Sequence, residues 1–485
     1  MAFANNSQRI TAALAAIAST SIMIWFGNGL EPWWPLFWFA PLPILLFALR
    51  SRWWEAALAT ALSMLLGSTN MWHYFHILHA PPFVWIGIYT IVAIVFALSV
   101  LLFRALLLRG APWSALLAIP SVWVSVEYLR NLTTPHGTAG SLAYSQLKFL
   151  PFLQLASITG PWGMSFLLLL FPSAIVIALH LRNSKPRQAL QILGTSMGII
   201  AAVLIFGAIR LAQPKPMQEA RVGFIASDER SNLLAEEGAE TERLFRDYAA
   251  QAQKLTAQGA QVIVIPEKVA VIVDPNIHDS DVIFQSLADS SQSTIVAGVV
   301  NVVKPLKYNQ ARIYLPGTPV QLYDKHHMLP PFESDLEPGK TLTLLPKGSE
   351  TWGVAICKDM DFTPLSRRYG KAGAGLMLVP AWDFNLDRGW HGHIALMRGV
   401  ESGFSIARAA KNGYLTLSDD RGRILAETRS DSAPFATQIA NVPAAHDTTL
   451  YLLLGDWFAW LSLAASAVIL IQLYRRRRHG RHAPE

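Results

Sequence analysis

The sequence predicts a membrane α-helical bundle of about eight transmembrane helices with one α/β domain inserted before the last of them. Three observations carry this reading. The 485 residues are 52% hydrophobic and only 15% charged, with a mean hydropathy of +0.31, whereas a soluble domain carries roughly a quarter charged residues. The charge deficit is local: apolar blocks fill about residues 10–212 and 449–474, and ordinary charge density returns between them. Basic residues are also sorted by loop. Together these exclude a soluble enzyme, a disordered chain and, with Cys357 as the sole cysteine, a disulfide-stapled domain.

Apolar segments able to cross a hydrocarbon layer about 30 Å thick fall at 10–28, 33–49, 54–73, 83–108, 113–129, 159–181, 188–211 and 449–474. The first lacks the basic start and small-residue cleavage site of a removed signal peptide. Trp33, Trp34, Trp53, Trp54, Trp457 and Trp460 lie near segment ends, where indoles anchor to the interface.

If the segments alternate, one set of loops holds Arg9, Arg50, Arg52, Arg104, Arg109, Arg182, Lys185, Arg187 and the tail arginines 475–478 and 481; the opposite short loops hold only Arg130 and Lys148. The positive-inside rule then places both termini in the cytoplasm and the inserted domain outside. The net charge of +7 is concentrated in these inner loops. It is a topology signal, with the tail RRRRHGRH suited to anionic lipid heads, and it predicts no nucleic-acid partner. The expected domains are 1–216 (seven transmembrane helices), 217–446 (an extracytoplasmic catalytic domain) and 447–485 (a final helix and basic tail).

Within the insert, apolar strands alternate with helices. Strands are expected at 222–226, 262–267, 294–302, 311–315, 320–325, 352–357 and 376–381. Helices are expected at 234–255, 279–290, 362–370 and 390–402, and a hairpin-like run at 405–429. Continuous apolar strands interleaved with helices predict an α/β layered domain with both sheet faces covered.

Three polar residues end three of these strands: Glu267 after VIVIP, Lys325 after QLYD, and Cys357 after WGVAI. Strand ends are where α/β domains place their chemistry. A thiol, a carboxylate able to take its proton, and a cation able to hold an oxyanion are complementary. Each has a structural alternative, the thiol as a small buried hydrophobe, the carboxylate as a helix-start residue and the lysine as a solvated charge.

IPEK around Glu267, YDKHHMLPPFE around Lys325 and GVAICKDMDF around Cys357 resemble the three signatures of the nitrilase (carbon–nitrogen hydrolase) superfamily. SVWVSVEYLRNL (121–132), LAYSQ (142–146) and TGPWGMSFLL (159–168) resemble stretches of its integral-membrane branch, the apolipoprotein N-acyltransferases. The resemblance implies a nitrilase-like αββα sandwich and a catalytic triad of Glu267 as general base, Lys325 as transition-state cation and Cys357 as nucleophile. It also implies a supporting Glu333, substrate-site Asn309, and the Lys358 backbone N–H as a second oxyanion donor. Arg398 and Glu401 are expected to be scaffold.

Lys358-Asp359 stands where the family usually has Tyr-Glu, and a pair so changed in sign and length is expected to line the acceptor side. The loop ASDERSN (226–232) and PPFES also depart from the family pattern.

The implied activity is acyl transfer from a membrane phospholipid, through a thioester on Cys357, to the N-terminal amine of a diacylglyceryl-cysteine lipoprotein. The apolar run Met328–Phe332 would suit a lid over acyl chains. The same triad with water as acceptor would give a membrane-tethered amidase, and a catalytically silent scaffold is a third reading. No cofactor is expected, and no metal, since His326, His327, His391 and His393 lack a completing ligand set. A monomer in the bacterial inner membrane, with its catalytic domain periplasmic, is expected.

Overall fold

The computed structural model describes residues 5–214, 218–229, 239–273 and 277–479. The chain divides into two compact units: a helical unit of residues 1–132, 140–211 and 454–485, and a unit of Thr133–Ala139 with Ala212–Leu453 that contains every strand.

Among the described residues, five helices of the first unit are long and apolar enough to cross a membrane: Asn6–Gly27, Pro82–Leu108, Pro161–Leu181, Pro186–Ala212 and Trp457–Arg475. This corrects the expectation of eight such helices. The segment 33–49 breaks at Ala40-Pro41 into Trp34–Phe39 and Leu42–Arg50, because proline cannot continue the preceding turn. The segment 54–73 ends as a regular helix at Ser68 after 16 residues. The segment 113–129 forms the 22-residue helix Pro112–Thr133, but Glu127, Arg130 and Asn131 dilute its apolar character. Glu127 is buried and accepts bonds from Trp123 Nε1, Ser141 Oγ and Leu142 N at 3.0, 3.2 and 2.8 Å. At the far end, 449–474 is interrupted at Gly455, whose φ of +67° separates Leu450–Leu454 from the final helix.

Among the described residues the second unit has thirteen strands: β1 (Glu219–Ala226), β2 (Val262–Val264), β3 (Val271–Val273), β4 (Thr294–Val303), β5 (Leu306–Tyr314), β6 (Gln321–Asp324), β7 (Thr343–Lys347), β8 (Glu350–Val354), β9 (Ala374–Trp382), β10 (Ser405–Lys411), β11 (Tyr414–Ser418), β12 (Ile424–Arg429) and β13 (Ala436–Pro443). One sheet runs β13-β1-β2-β4-β5-β6, with β3 also pairing β4; the other runs β12-β11-β10-β9-β8-β7. The central strands β1, β2 and β4, and β8, β9 and β10, are parallel, as buried apolar strands with helical crossovers require.

Val222, Phe224 and Val264 of the first sheet share one buried cluster with Leu376, Leu378 and Ile406 of the second. The outward face of the first sheet meets Phe245, Tyr248 and Leu255 from the helix Ala239–Ala257 and Phe284 from Ile277–Ser291. The helices Thr363–Lys371 and Trp390–Ser402 pack with the second sheet. This is an αββα arrangement. The strands β3, β7 and β13 were not expected from the sequence. Residues 234–238 of the first expected helix, much of the 226–232 loop, the 216/217 boundary and the end of the basic tail lie outside the described residues.

Candidate active site

Glu267 and Lys325 follow strands of the first sheet and Cys357 follows a strand of the second, so the site forms at a seam between the sheets. The strand expected over 262–267 stops at Val264, and Pro266 turns the chain so that Glu267 N donates to Ala381 O of β9 at 3.2 Å. Gly298 on β4 permits this close turn: a Cβ there would lie 2.5 Å from Pro266 O and 2.6 Å from Glu267 Cα. Lys325 N donates to Asn309 O at 2.8 Å, which fixes the lysine at the end of β6 beside β5.

Four of the six residues singled out by sequence meet directly. Lys325 Nζ donates to Glu267 Oε1 and Glu333 Oε2, each at 2.8 Å, and all three side chains are buried. Asn309 Nδ2 donates to Glu267 Oε1 at 2.6 Å and Glu333 Oε1 at 2.7 Å. Sequence reasoning missed Lys268, whose Nζ donates to Glu333 Oε1 at 2.7 Å; its position directly after Glu267 was the available signal. Leu329 N adds a bond to Glu333 Oε2 at 2.8 Å.

Burial disfavours the Lys325 ammonium, but the Glu267 and Glu333 carboxylates outweigh it and hold the lysine above its ordinary range. Burial likewise pushes Glu333 up, and Lys325 with Lys268 reverses this, bringing it down to about 2.

Cys357 opens the single-turn helix Cys357–Asp361 with φ of +45°. A non-glycine residue in the left-handed region costs on the order of 1–3 kcal/mol and persists only where its surroundings enforce it. The partly buried thiol donates toward Trp382 O at 3.5 Å. Burial pushes the thiol up and the Glu267 carboxylate adds to this, against the opposing effects of Lys325 and Arg408. The resting thiol therefore keeps its proton at neutral pH, and a base must remove it for the sulfur to act as a nucleophile.

Asp359 does not line an acceptor surface as expected; it is fully buried. Its Oδ1 accepts from His326 N, His327 N and His327 Nδ1 at 3.2, 2.9 and 2.9 Å. Its Oδ2 accepts from Tyr323 Oη at 2.7 Å and Ile356 N at 3.1 Å. One carboxylate thus ties the chain just after Lys325 to the chain just before Cys357. Lys358 is also buried, with Nζ 3.2 Å from His136 Nδ1.

The Asp383–Arg408 pair, both buried, is bonded through two guanidinium nitrogens at 2.8 and 2.5 Å. His391 lies 3.2 Å from Asp387 and 3.8 Å from Asp361. Burial would discharge this imidazole, but the two carboxylates raise it to about 10. Arg398 and Glu401 form a wholly buried ion pair at 2.9 Å. Among the described residues no group of three or more His, Cys, Asp or Glu side chains forms a metal-ligand set.

Residues 20–174 match the family described as Apolipoprotein N-acyltransferase N-terminal domain, and residues 232–443 match Carbon-nitrogen hydrolase. An apolipoprotein N-acyltransferase of Geobacter metallireducens is 27% identical over 399 residues, covering 75% of each chain. One from Bradyrhizobium diazoefficiens is 24% identical over 446 residues, covering 82% of this chain and 80% of its own. The chain belongs to the apolipoprotein N-acyltransferase family of the nitrilase superfamily. Among solved structures, an amidase from Nesterenkonia sp. AN1 superimposes with a TM-score of 0.41 and 19% identity, over 50% of this chain and 97% of that one.

As an apolipoprotein N-acyltransferase family member the chain is a cysteine-dependent enzyme, and its apolar helices make it a multi-pass inner-membrane protein.

Proposed function

We propose that the enzyme moves an acyl chain from a membrane phospholipid to the N-terminal amine of a diacylglyceryl-cysteine lipoprotein, by way of a thioester on Cys357. The observation that supports this most is the bonded Glu267–Lys325–Glu333–Asn309 cluster at the turn carrying a strained, protonated Cys357. Its relatives among the apolipoprotein N-acyltransferases point the same way.

Glu267 is the base. Lys325 and Asn309 both bond its Oε1, which leaves Oε2 to take the Cys357 proton. The thiolate attacks the ester carbonyl, and the Lys325 ammonium with the Lys358 N–H holds the oxyanion. The C–O bond to glycerol breaks, the proton on Glu267 goes to the departing lysophospholipid, and the acyl group stays on sulfur. The acceptor amine then attacks the thioester, the C–S bond breaks, and Cys357 recovers its proton.

Exposed Phe332 and Leu386, with Phe384 ring-to-ring 5.6 Å from Phe332, supply an apolar surface suited to acyl chains. In this reading both termini are cytoplasmic, the catalytic domain lies on the periplasmic side and the protein acts as a monomer. A phosphatase fusion near residue 300 should be active and one after Glu485 inactive; the reverse pattern would refute this topology.

Intact-protein mass spectrometry tests the chemistry. Incubation with phospholipid should add one acyl mass, absent from Cys357→Ala, and a diacylated lipopeptide should remove that mass while gaining it. Steady release of free fatty acid without transfer would support the amidase reading instead.

A further inference from the structure

The lysine beside the nucleophile receives a partner from a distant stretch of chain. Residues Thr133–Ala139 follow the helix Pro112–Thr133 but belong to the unit that contains the sheets. They dock on the turn Cys357–Asp361. Thr138 N and Oγ1 both donate to Asp361 O, at 3.1 and 2.8 Å, and Arg398 Nη1 donates to Thr138 Oγ1 at 3.2 Å. Gly137, at φ +53°, lies so close that a Cβ would stand 2.6 Å from the same Asp361 oxygen. This docking delivers His136 Nδ1 to 3.2 Å from Lys358 Nζ.

The pair is arranged for proton movement. Lys358 is only 5% exposed, whereas His136 is exposed. Among the described residues no carboxylate is hydrogen-bonded to the Lys358 amine; its hydrogen-bond partner is an imidazole nitrogen. The charged groups acting on it are Asp361 and Cys357 on its own turn and Lys325 and Glu333 from the lysine loop. Burial lowers the Lys358 ammonium's affinity for its proton, and Lys325 lowers it further, against the opposing effects of Asp361, Cys357 and Glu333. A buried lysine that releases its proton more readily than a free one, and that bonds an imidazole rather than a carboxylate, can serve as a general base.

Acyl transfer to an amine needs such a base. The acceptor's α-amino group, with an ordinary pKa of roughly 7.7–8.0, is largely an ammonium at neutral pH and cannot attack until it loses a proton. We propose that Lys358 and His136 form the proton relay of the acceptor half-reaction. Lys358, as the neutral amine, takes the first proton from the acceptor's ammonium, and His136 passes it to solvent. The freed nitrogen bonds to the acyl carbon, the C–S bond breaks, and the second nitrogen-bound proton reaches sulfur through Glu267. One proton is released per turnover. This rests on the acyl-transfer reading above and extends it to a residue at which the chain departs from its family.

The test separates the two steps. The full-length enzyme is acylated with phosphatidylethanolamine in detergent micelles. Decay of the thioester is then followed by stopped flow with either a diacylated lipopeptide or hydroxylamine, an amine already neutral near pH 7. In Lys358→Met and in His136→Gln, where glutamine can still accept the lysine's hydrogen bond but carries no proton, decay with lipopeptide should fall at least about tenfold. That loss should shrink as pH rises toward about 9 and the acceptor deprotonates unaided. Decay with hydroxylamine should stay within about threefold. Equal slowing with both amines, or no slowing with either, would overturn the relay. No thioester in the unsubstituted enzyme would overturn the acyl-transfer reading, and the relay with it.

Discussion

Replacing Asp359 by asparagine should disable the enzyme without touching any of the three triad side chains. The carboxylate accepts three bonds on Oδ1 and two on Oδ2, from a position with no solvent exposure. An amide can accept on one side only, and its NH2 must then face donors on the other. If the oxygen stays toward His326 and His327, the Ile356 N–H and the buried Tyr323 hydroxyl lose their acceptor. Hydrogen bonds to a charged group contribute about 1.5–3 kcal/mol each, so losing two, with some rearrangement, should cost about 2–4 kcal/mol. For a domain of this size that is a fall of about 5–15 °C in melting temperature, measurable by intrinsic fluorescence in detergent.

The catalytic loss should exceed what unfolding explains. Asp359 sets the distance between the turn carrying Lys325 and the turn carrying Cys357, and a misplacement of about 1 Å can cost on the order of 10²-fold in rate. Thioester formation, measured well below the variant's melting temperature, should drop by that order. Asp359→Glu should also fail, since an added methylene in an enclosed site costs about 1–3 kcal/mol, even though glutamate is the family's usual residue. A normal melting temperature and normal thioester formation in Asp359→Asn would refute the view of this residue as the tie between the two turns.

Two pH dependences follow from the buried charges. Glu333 is depressed from 4.5 to about 2, so its contribution, on the order of 3 kcal/mol, is present above pH 4.5 and lost as pH falls through about 2. Melting temperature measured between pH 5 and 2 should fall more steeply in the parent than in Glu333→Gln, and parallel curves would refute the assignment. His391 is raised from 6.5 to about 10, so its contribution is complete below pH 6.5 and lost as pH rises through about 10. His391→Gln should flatten the alkaline limb of stability, and an unchanged limb would show that the imidazole is not held charged by Asp361 and Asp387.

The site was legible in the sequence where chemistry coincides with a strand end. Glu267 and Cys357 each follow a short apolar run, and Lys325 follows the strand QLYD; such runs reveal both the strand and the polar residue that stops it. Asn309 and Glu333 came only through family resemblance, because one lies inside β5 and the other in a loop, with no local pattern to mark them. His136 and the tie made by Asp359 were not legible, and Lys268 was marked only by its place directly after Glu267. Lys268 acts through a glutamate 65 positions away, and His136 meets a lysine 222 positions away. Only the fold closes such distances. The misjudgement of Asp359 has the same origin: a charged residue beside a nucleophile invites a reading as substrate contact, while four of its five donors come from the stretch Tyr323–His327, more than 30 positions away.

The helix count went astray for a different reason. Mean hydropathy and length identify a helix that must satisfy lipid on its own, and the helices Asn6–Gly27 and Pro186–Ala212, mostly unburied, are of that kind. A helix whose surface is taken up by other helices is under no such demand, and its sequence can carry polar residues or breaks. The helix Pro112–Thr133 keeps Glu127 because Trp123, Ser141 and the Leu142 amide satisfy it. The break at Ala40-Pro41 lies among residues that are themselves buried, with Ala40 and Ile44 fully enclosed. Backbone that departs from helix is tolerated at membrane depth only inside protein. Length therefore sets aside 33–49 and 54–73, whose regular helices run 16 residues or fewer, whereas polar content sets aside Pro112–Thr133, whose Glu127 is satisfied by other residues of its unit.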